Sequence, residues 1–126
     1  GAATAPGLWA GNRFERLGIP FMAATMDGSE GYPGLVTDLL PSPDNPSEID
    51  RIYTCGPEAM MAAVAEYAQE NDIWGEVSLE EHMACGVGAC LGCARRLRSA
   101  DLGYVKVCKD GPVFNMDEVE LFKQLG

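Results

Sequence analysis

Along the first eighty residues, continuous apolar runs alternate with stretches whose apolar positions recur at helical spacing. This is the pattern of a parallel sheet covered by helices. Residues 6–17 predict a helix with Leu8, Phe14 and Leu17 inward, and residues 19–25 a strand, apolar on both faces. Asp27 to Gly31 reads as a loop, residues 34–40 as a short helix, and Pro41, Pro43 and Pro46 as a surface connection. A second strand over 49–55 runs into Gly56 and Pro57. Pro57 suits the first position of a helix with an apolar face of Met60, Met61, Val64, Tyr67 and Ala68. Such a strand-to-helix turn presents free N–H groups at the carboxyl edge of a sheet, where phosphates and ribose-linked ligands bind, although many similar turns bind nothing. Residues 75–79 predict a third strand. Residues 94–98 and 104–108 predict a hairpin turning through Ser99 to Gly103, and Asn115 with Glu118 predicts a capped helix reaching Phe122.

The pattern changes after Leu79, where cysteine and glycine replace apolar periodicity. Four of the five cysteines stand as Cys85-x4-Cys90-x2-Cys93-x14-Cys108, interleaved with Gly86, Gly88 and Gly92. A two-iron cluster needs four thiolates around a core a few ångströms across, three from a tight loop and one from elsewhere. This spacing is the plant-type [2Fe-2S] arrangement. The glycines let the loop turn with positive φ and bring N–H groups to the sulfurs. Zinc also takes four thiolates, usually as two short knuckles, and here only Cys90-x2-Cys93 is one. Disulfides fit poorly, because five is odd and four are crowded into one region.

Composition narrows the partners. A chain of 126 residues, 47% hydrophobic and 22% charged, suits one domain or two small ones, and a formal charge of −10 disfavours nucleic acid and anionic membrane surfaces. No apolar run approaches membrane-spanning length, no basic-then-apolar leader opens the chain, and thiolate ligands suit a reducing cytosol, so the expected location is cytoplasmic. Gly1 in place of an initiator methionine suggests a fragment or a processed form.

Tyr53-Thr54-Cys55-Gly56-Pro57, Val77-Ser78-Leu79-Glu80-Glu81, the cysteine loop from 85 to 93 and Val107-Cys108-Lys109-Asp110-Gly111-Pro112-Val113-Phe114 together resemble the electron-transfer subunit of class 1B dihydroorotate dehydrogenase. The resemblance implies an α/β chain: a partial ferredoxin-reductase-type NAD-binding domain over 1–76, then a small [2Fe-2S] domain with a C-terminal helix over 77–126. It implies that Cys85, Cys90, Cys93 and Cys108 ligate the cluster, and that Cys55, Gly56 and Pro57 lie near nicotinamide and flavin. Members of that family pass electrons from NADH through FAD and the cluster to a separate FMN-containing catalytic subunit, in pyrimidine synthesis. Neither the flavin barrel nor the Gly-rich phosphate turn of the family is found here, and no arginine precedes Arg13. The chain is therefore expected to hold a cluster as part of an oxidoreductase, not to bind FAD or use NADH unaided.

Cys55 stands outside the cluster spacing. It is either a small apolar residue at a strand end or, by the resemblance, a side chain against the nicotinamide ring. His82, the lone histidine, suits a surface place better than ligation, since Rieske centres use two. Arg95, Arg96, Arg98, Lys106 and Lys109 form either a docking face or the solvated side of the hairpin. Glu80 and Glu81 read as solvated. Two rivals stand beside the main reading: a homologous subunit of an NAD(P)H-dependent hydrogenase or glutamate-synthase-like complex, and a zinc-stabilised interaction module without redox activity.

Overall fold

A computed structural model describes residues 1–41, 49–98 and 103–121. It divides into two compact units, Gly1–Asn45 and Pro46–Gly126. In the first, the expected helix over 6–17 is broken. A 3-10 turn occupies Ala5–Gly7 and helix α1 only Gly11–Arg16, because Pro6 favours a tight first turn and Gly11 is a poor mid-helix residue. Phe14 stacks on Phe21 with centroids 5.6 Å apart, whereas Leu17 is exposed.

The expected strand over 19–25 contracts to β1, Ala24–Thr25, which pairs in parallel with β2, Tyr32–Pro33. Ile19 and Met22 are exposed rather than buried on both faces. Pro20 has no N–H to give a ladder, and ladder pairing is confined to Ala24 and Thr25, the latter also bridged to Ala2, while Ala23 O accepts from Tyr32 N–H at 2.8 Å. The helix expected over 34–40 is a 3-10 turn, Val36–Leu39. Pro43 and Pro46 lie outside the described residues.

The second unit follows the sequence more closely. Strand β3, Arg51–Cys55, leads through helix α2, Glu58–Glu70, to β4, Trp74–Ser78, and β3 and β4 pair in parallel. Alternation explains the layering. Ile52, Thr54, Gly75 and Val77 point one way, and α2 contributes Met61, Ala62, Val64, Ala65, Tyr67 and Ala68 to the core. Pro57 caps α2 one position earlier than expected, its carbonyl accepting from Met61 N–H at 3.0 Å.

Strands β5, Ala94–Arg96, and β6, Tyr104–Lys106, form the antiparallel pair. Residues 99–102 of its expected turn lie outside the described residues. Two expectations fail here. The second hairpin strand stops at Lys106, because a one-turn helix α3, Val107–Asp110, follows, closed by Lys106 N–H to Asp110 Oδ2 at 2.7 Å.

The capped helix from Asn115 does not form; Phe122 lies outside the described residues. Val113–Asn115 is instead strand β7, antiparallel to β4, and Asn115 caps a turn that delivers Val119 to a bridge with Leu97. Phe114, Met116 and Val119 are all buried, so tertiary burial outweighs the local capping preference. The expected domain boundary at 76/77 falls inside β4, which pairs with β3 on one side and β7 on the other. Among the described residues no helix is long and apolar enough to cross a membrane.

Candidate metal centre

Between the end of β4 and the start of β5 the chain has no regular structure, and this loop carries three of the four cysteines. Leu79, buried behind β4 and bonded through its N–H to Pro112 O at 3.0 Å, anchors the way in. Cys93 anchors the way out. It is buried, adjoins β5, and its carbonyl accepts from Val107 N–H at 3.1 Å, which brings α3 and Cys108 alongside. All five cysteines are free thiols.

Backbone N–H groups already point at sulfur. Cys90 N–H donates to Cys85 Sγ and Gly92 N–H to Cys90 Sγ, each at 3.4 Å. The N–H groups of Cys90 and Val87 hold the Cys85 thiol down to about 6 from its usual 9.0, favouring the thiolate a metal takes. The hydrogen bond with the Cys93 side chain, together with burial, pushes the Cys108 thiol up. Cys85 thus interacts with Cys90, and Cys108 with both Cys93 and Cys85.

Among the described residues no three His, Cys, Asp or Glu side chains converge on one metal ion. A binuclear cluster takes two thiolates at each iron, and its anionic core is stabilised by backbone N–H groups aimed at sulfur, as those of Cys90 and Gly92 are. The residues present thus fit a [2Fe-2S] group, with Cys85, Cys90, Cys93 and Cys108 available to hold it. His82 is exposed beside the loop.

Gly88 shows why the loop needs glycine. Its φ is +78°, and a Cβ there would stand 3.0 Å from Lys109 Cδ, while its carbonyl accepts from Lys106 Nζ. Gly88→Ala forces an L-residue into a conformation costing roughly 1–2 kcal/mol. The expected outcome is several-fold faster release of iron to a chelator, followed by the loss of visible absorbance.

Arg95, Arg96 and Arg98 are engaged within the unit, although Arg96, Arg98 and Lys109 are exposed. Arg95 binds Glu58 and Glu81, Arg96 pairs with Glu120 at 3.7 Å, and Arg98 Nε donates to Val119 O at 3.1 Å. Glu81 is accordingly not the solvated residue expected. No local pattern signals the Arg95–Glu58 contact, which joins positions 37 residues apart. At the other candidate position, Cys55 ends β3, exposed and in register with Ser78. Gly56 follows at φ +146°, with Met60 Cε where a Cβ would stand. A shallow, mainly apolar depression of about 220 Å³ beside it is lined by Tyr53, Thr54, Cys55, Glu76, Ser78 and Val113.

Residues 80–120 match the family model described as the iron-sulfur cluster binding domain of dihydroorotate dehydrogenase B. The chain is 44% identical over 108 residues to the dihydroorotate dehydrogenase B (NAD(+)) electron transfer subunit of Caldanaerobacter subterraneus subsp. tengcongensis, over 85% of this chain and 42% of that protein. The subunit of the same name from Listeria innocua is 48% identical over 98 residues, 78% of this chain and 37% of that protein.

Over these spans the chain is similar to dihydroorotate dehydrogenase B electron-transfer subunits.

It spans about two-fifths of the length of these curated relatives. In fold it is similar to a chain of the NADH-dependent reduced ferredoxin-NADP oxidoreductase structure, with a TM-score of 0.76 and 28% identity over 94% of this chain and 41% of that one. The α/β class and its ferredoxin-reductase type are therefore those expected. The hydrogenase-type, glutamate-synthase-type and zinc-module rivals are not favoured by these matches.

Proposed function

We propose that this chain relays single electrons through a [2Fe-2S] cluster held by Cys85, Cys90, Cys93 and Cys108, as part of a dihydroorotate-oxidising assembly. The backbone N–H groups of Cys90 and Gly92 aimed at the sulfurs of Cys85 and Cys90, within the four-cysteine spacing, carry the reading. When bound, such a cluster supplies a one-electron carrier. The chain's own residues do the rest. Four thiolates ligate, the N–H groups of Cys90 and Gly92 stabilise sulfur charge, and Lys106 braces the loop through Gly88 O.

In this proposal residues 77–126 serve as the cluster domain and 1–76 as part of the nucleotide domain. The Cys55-Gly56-Pro57 turn faces nicotinamide and flavin, with Cys55 setting geometry; no base stands beside it in the sequence, and its thiol is not cast as a nucleophile. NADH, FAD and an FMN-containing catalytic subunit complete the route, and further polypeptide supplies the flavin site.

Anaerobic purification with iron and acid-labile sulfide analysis tests the reading. Two irons and two sulfides per chain are expected, EPR-silent when oxidised and with a rhombic S = 1/2 signal after dithionite reduction. Zinc without sulfide would sink it. Co-purification of an FMN-bearing catalytic subunit tests the partner.

A further inference from the structure

Arg95 lies two residues beyond Cys93 in β5 and reaches back across the unit. Its Nη1 and Nη2 donate to Glu58 Oε1 and Oε2 at 2.7 and 3.0 Å, a bidentate fork, while Nε faces Glu81 Oε1 as an ion pair without hydrogen-bond alignment. The three side chains are only 13%, 23% and 21% exposed. Glu58 is the first residue of α2, directly after Pro57, and Glu81 lies four residues before Cys85. One guanidinium thus touches the start of α2 and the irregular segment between β4 and Cys85, from a position at the cysteine loop's exit.

We infer that Arg95 is a positioning residue that clamps the cysteine loop to the Cys55-Gly56-Pro57 turn and so sets the gap between the cluster and whatever redox ligand that turn faces. The inference rests on the functional reading above. A planar fork gripping both oxygens of one carboxylate restrains direction as well as distance, which a single ammonium contact cannot do. Low exposure spares the contact most of the screening that makes surface pairs weak. One-electron transfer falls off steeply with separation, so a clamp between two redox positions acts on rate without touching either centre. Functional geometry commonly depends on such supporting contacts.

Hydrogen exchange on the full chain tests this, with iron and sulfide measured on the same preparations. In Arg95→Gln, amides of residues 58–62 and of 82–92 are expected to exchange faster together, on the order of tenfold. The EPR lines of the reduced cluster are expected to broaden while iron content holds. Arg95→Lys, which keeps the charge but not the fork, should recover only part of the protection; Arg96→Gln, at an exposed pair, should change neither segment.

Faster exchange confined to 94–96, or full recovery by lysine, overturns the clamp. If Arg95→Gln does not fold, Glu58→Gln leaves the Arg95–Glu81 pair in place. It should still loosen both segments, and an unchanged 82–92 overturns the inference. A wild-type chain without iron and sulfide overturns the functional reading. Unaltered exchange in a cluster-bearing Arg95→Gln chain overturns the role of Arg95 alone.

Discussion

Cys108→Ser is expected to leave the protein nearly without iron and acid-labile sulfide, whereas Cys55→Ser retains both at wild-type levels. Cys108 comes from α3, beyond the hairpin, and its thiol meets that of Cys93. Serine at 108 leaves that half of the site with a single thiolate and an alcohol that does not ionise near neutral pH. Residues that merely hydrogen-bond to a ligand change metal affinity by about 10–100-fold, so loss of a ligand should exceed about tenfold. Cys55 is exposed at the end of β3, outside the cysteine loop and α3. Iron, sulfide and visible circular dichroism of the two variants make the comparison. Loss of the cluster in Cys55→Ser, or its retention in Cys108→Ser, would contradict the ligand assignment. Because metal binding is coupled to folding, Cys108→Ser should also melt lower than wild type.

Leu79→Ala should produce the largest change in stability. Leu79 is 2% exposed and its N–H is bound to Pro112 O, at the point where β4 hands the chain to the cysteine loop. Truncating a buried leucine to alanine costs about 2–5 kcal/mol from lost burial and the cavity left behind. In a domain of this size each 1 kcal/mol moves the melting temperature by roughly 4–8 °C. A fall of at least about 8 °C is therefore expected by calorimetry or far-UV circular dichroism. Leu91 provides the contrast. It lies in the cysteine loop and is 72% exposed, so Leu91→Ala should stay within about 0.5 kcal/mol of wild type. Equal shifts in the two variants would show that the joint between sheet and loop is not the anchor described.

The two variants probe parts of the molecule that differ in how openly the sequence displays them. The cysteine loop is legible because its cysteines are close in sequence and its glycines mark where the backbone must turn. Strands β3 and β4 and helix α2 were legible too, since each carries its own apolar period and α2 begins after a proline. The first unit was less so. An apolar run over 19–25 reads as a buried strand, yet only Ala24 and Thr25 are paired as strand. Hydrophobicity alone does not report which N–H and C=O groups will find mates. Asn115 misled in the opposite direction: its side chain does cap a turn, accepting from Asp117 N–H at 2.9 Å, but the chain then pairs with Leu97 and does not coil.

By itself, then, the sequence determined the cluster chemistry, the α/β order of the second unit and the resemblance to an electron-transfer subunit, because each is written in local spacing and residue type. Tertiary structure decided which N–H groups face the sulfurs, that Cys108 arrives from a one-turn helix, that β7 closes the sheet beside β4, and that Arg95 grips Glu58 across 37 positions. These depend on the register with which distant segments pair and on which charges are drawn from water together. Such choices are settled by the free energy of the whole packed unit, and no short window of residues contains it.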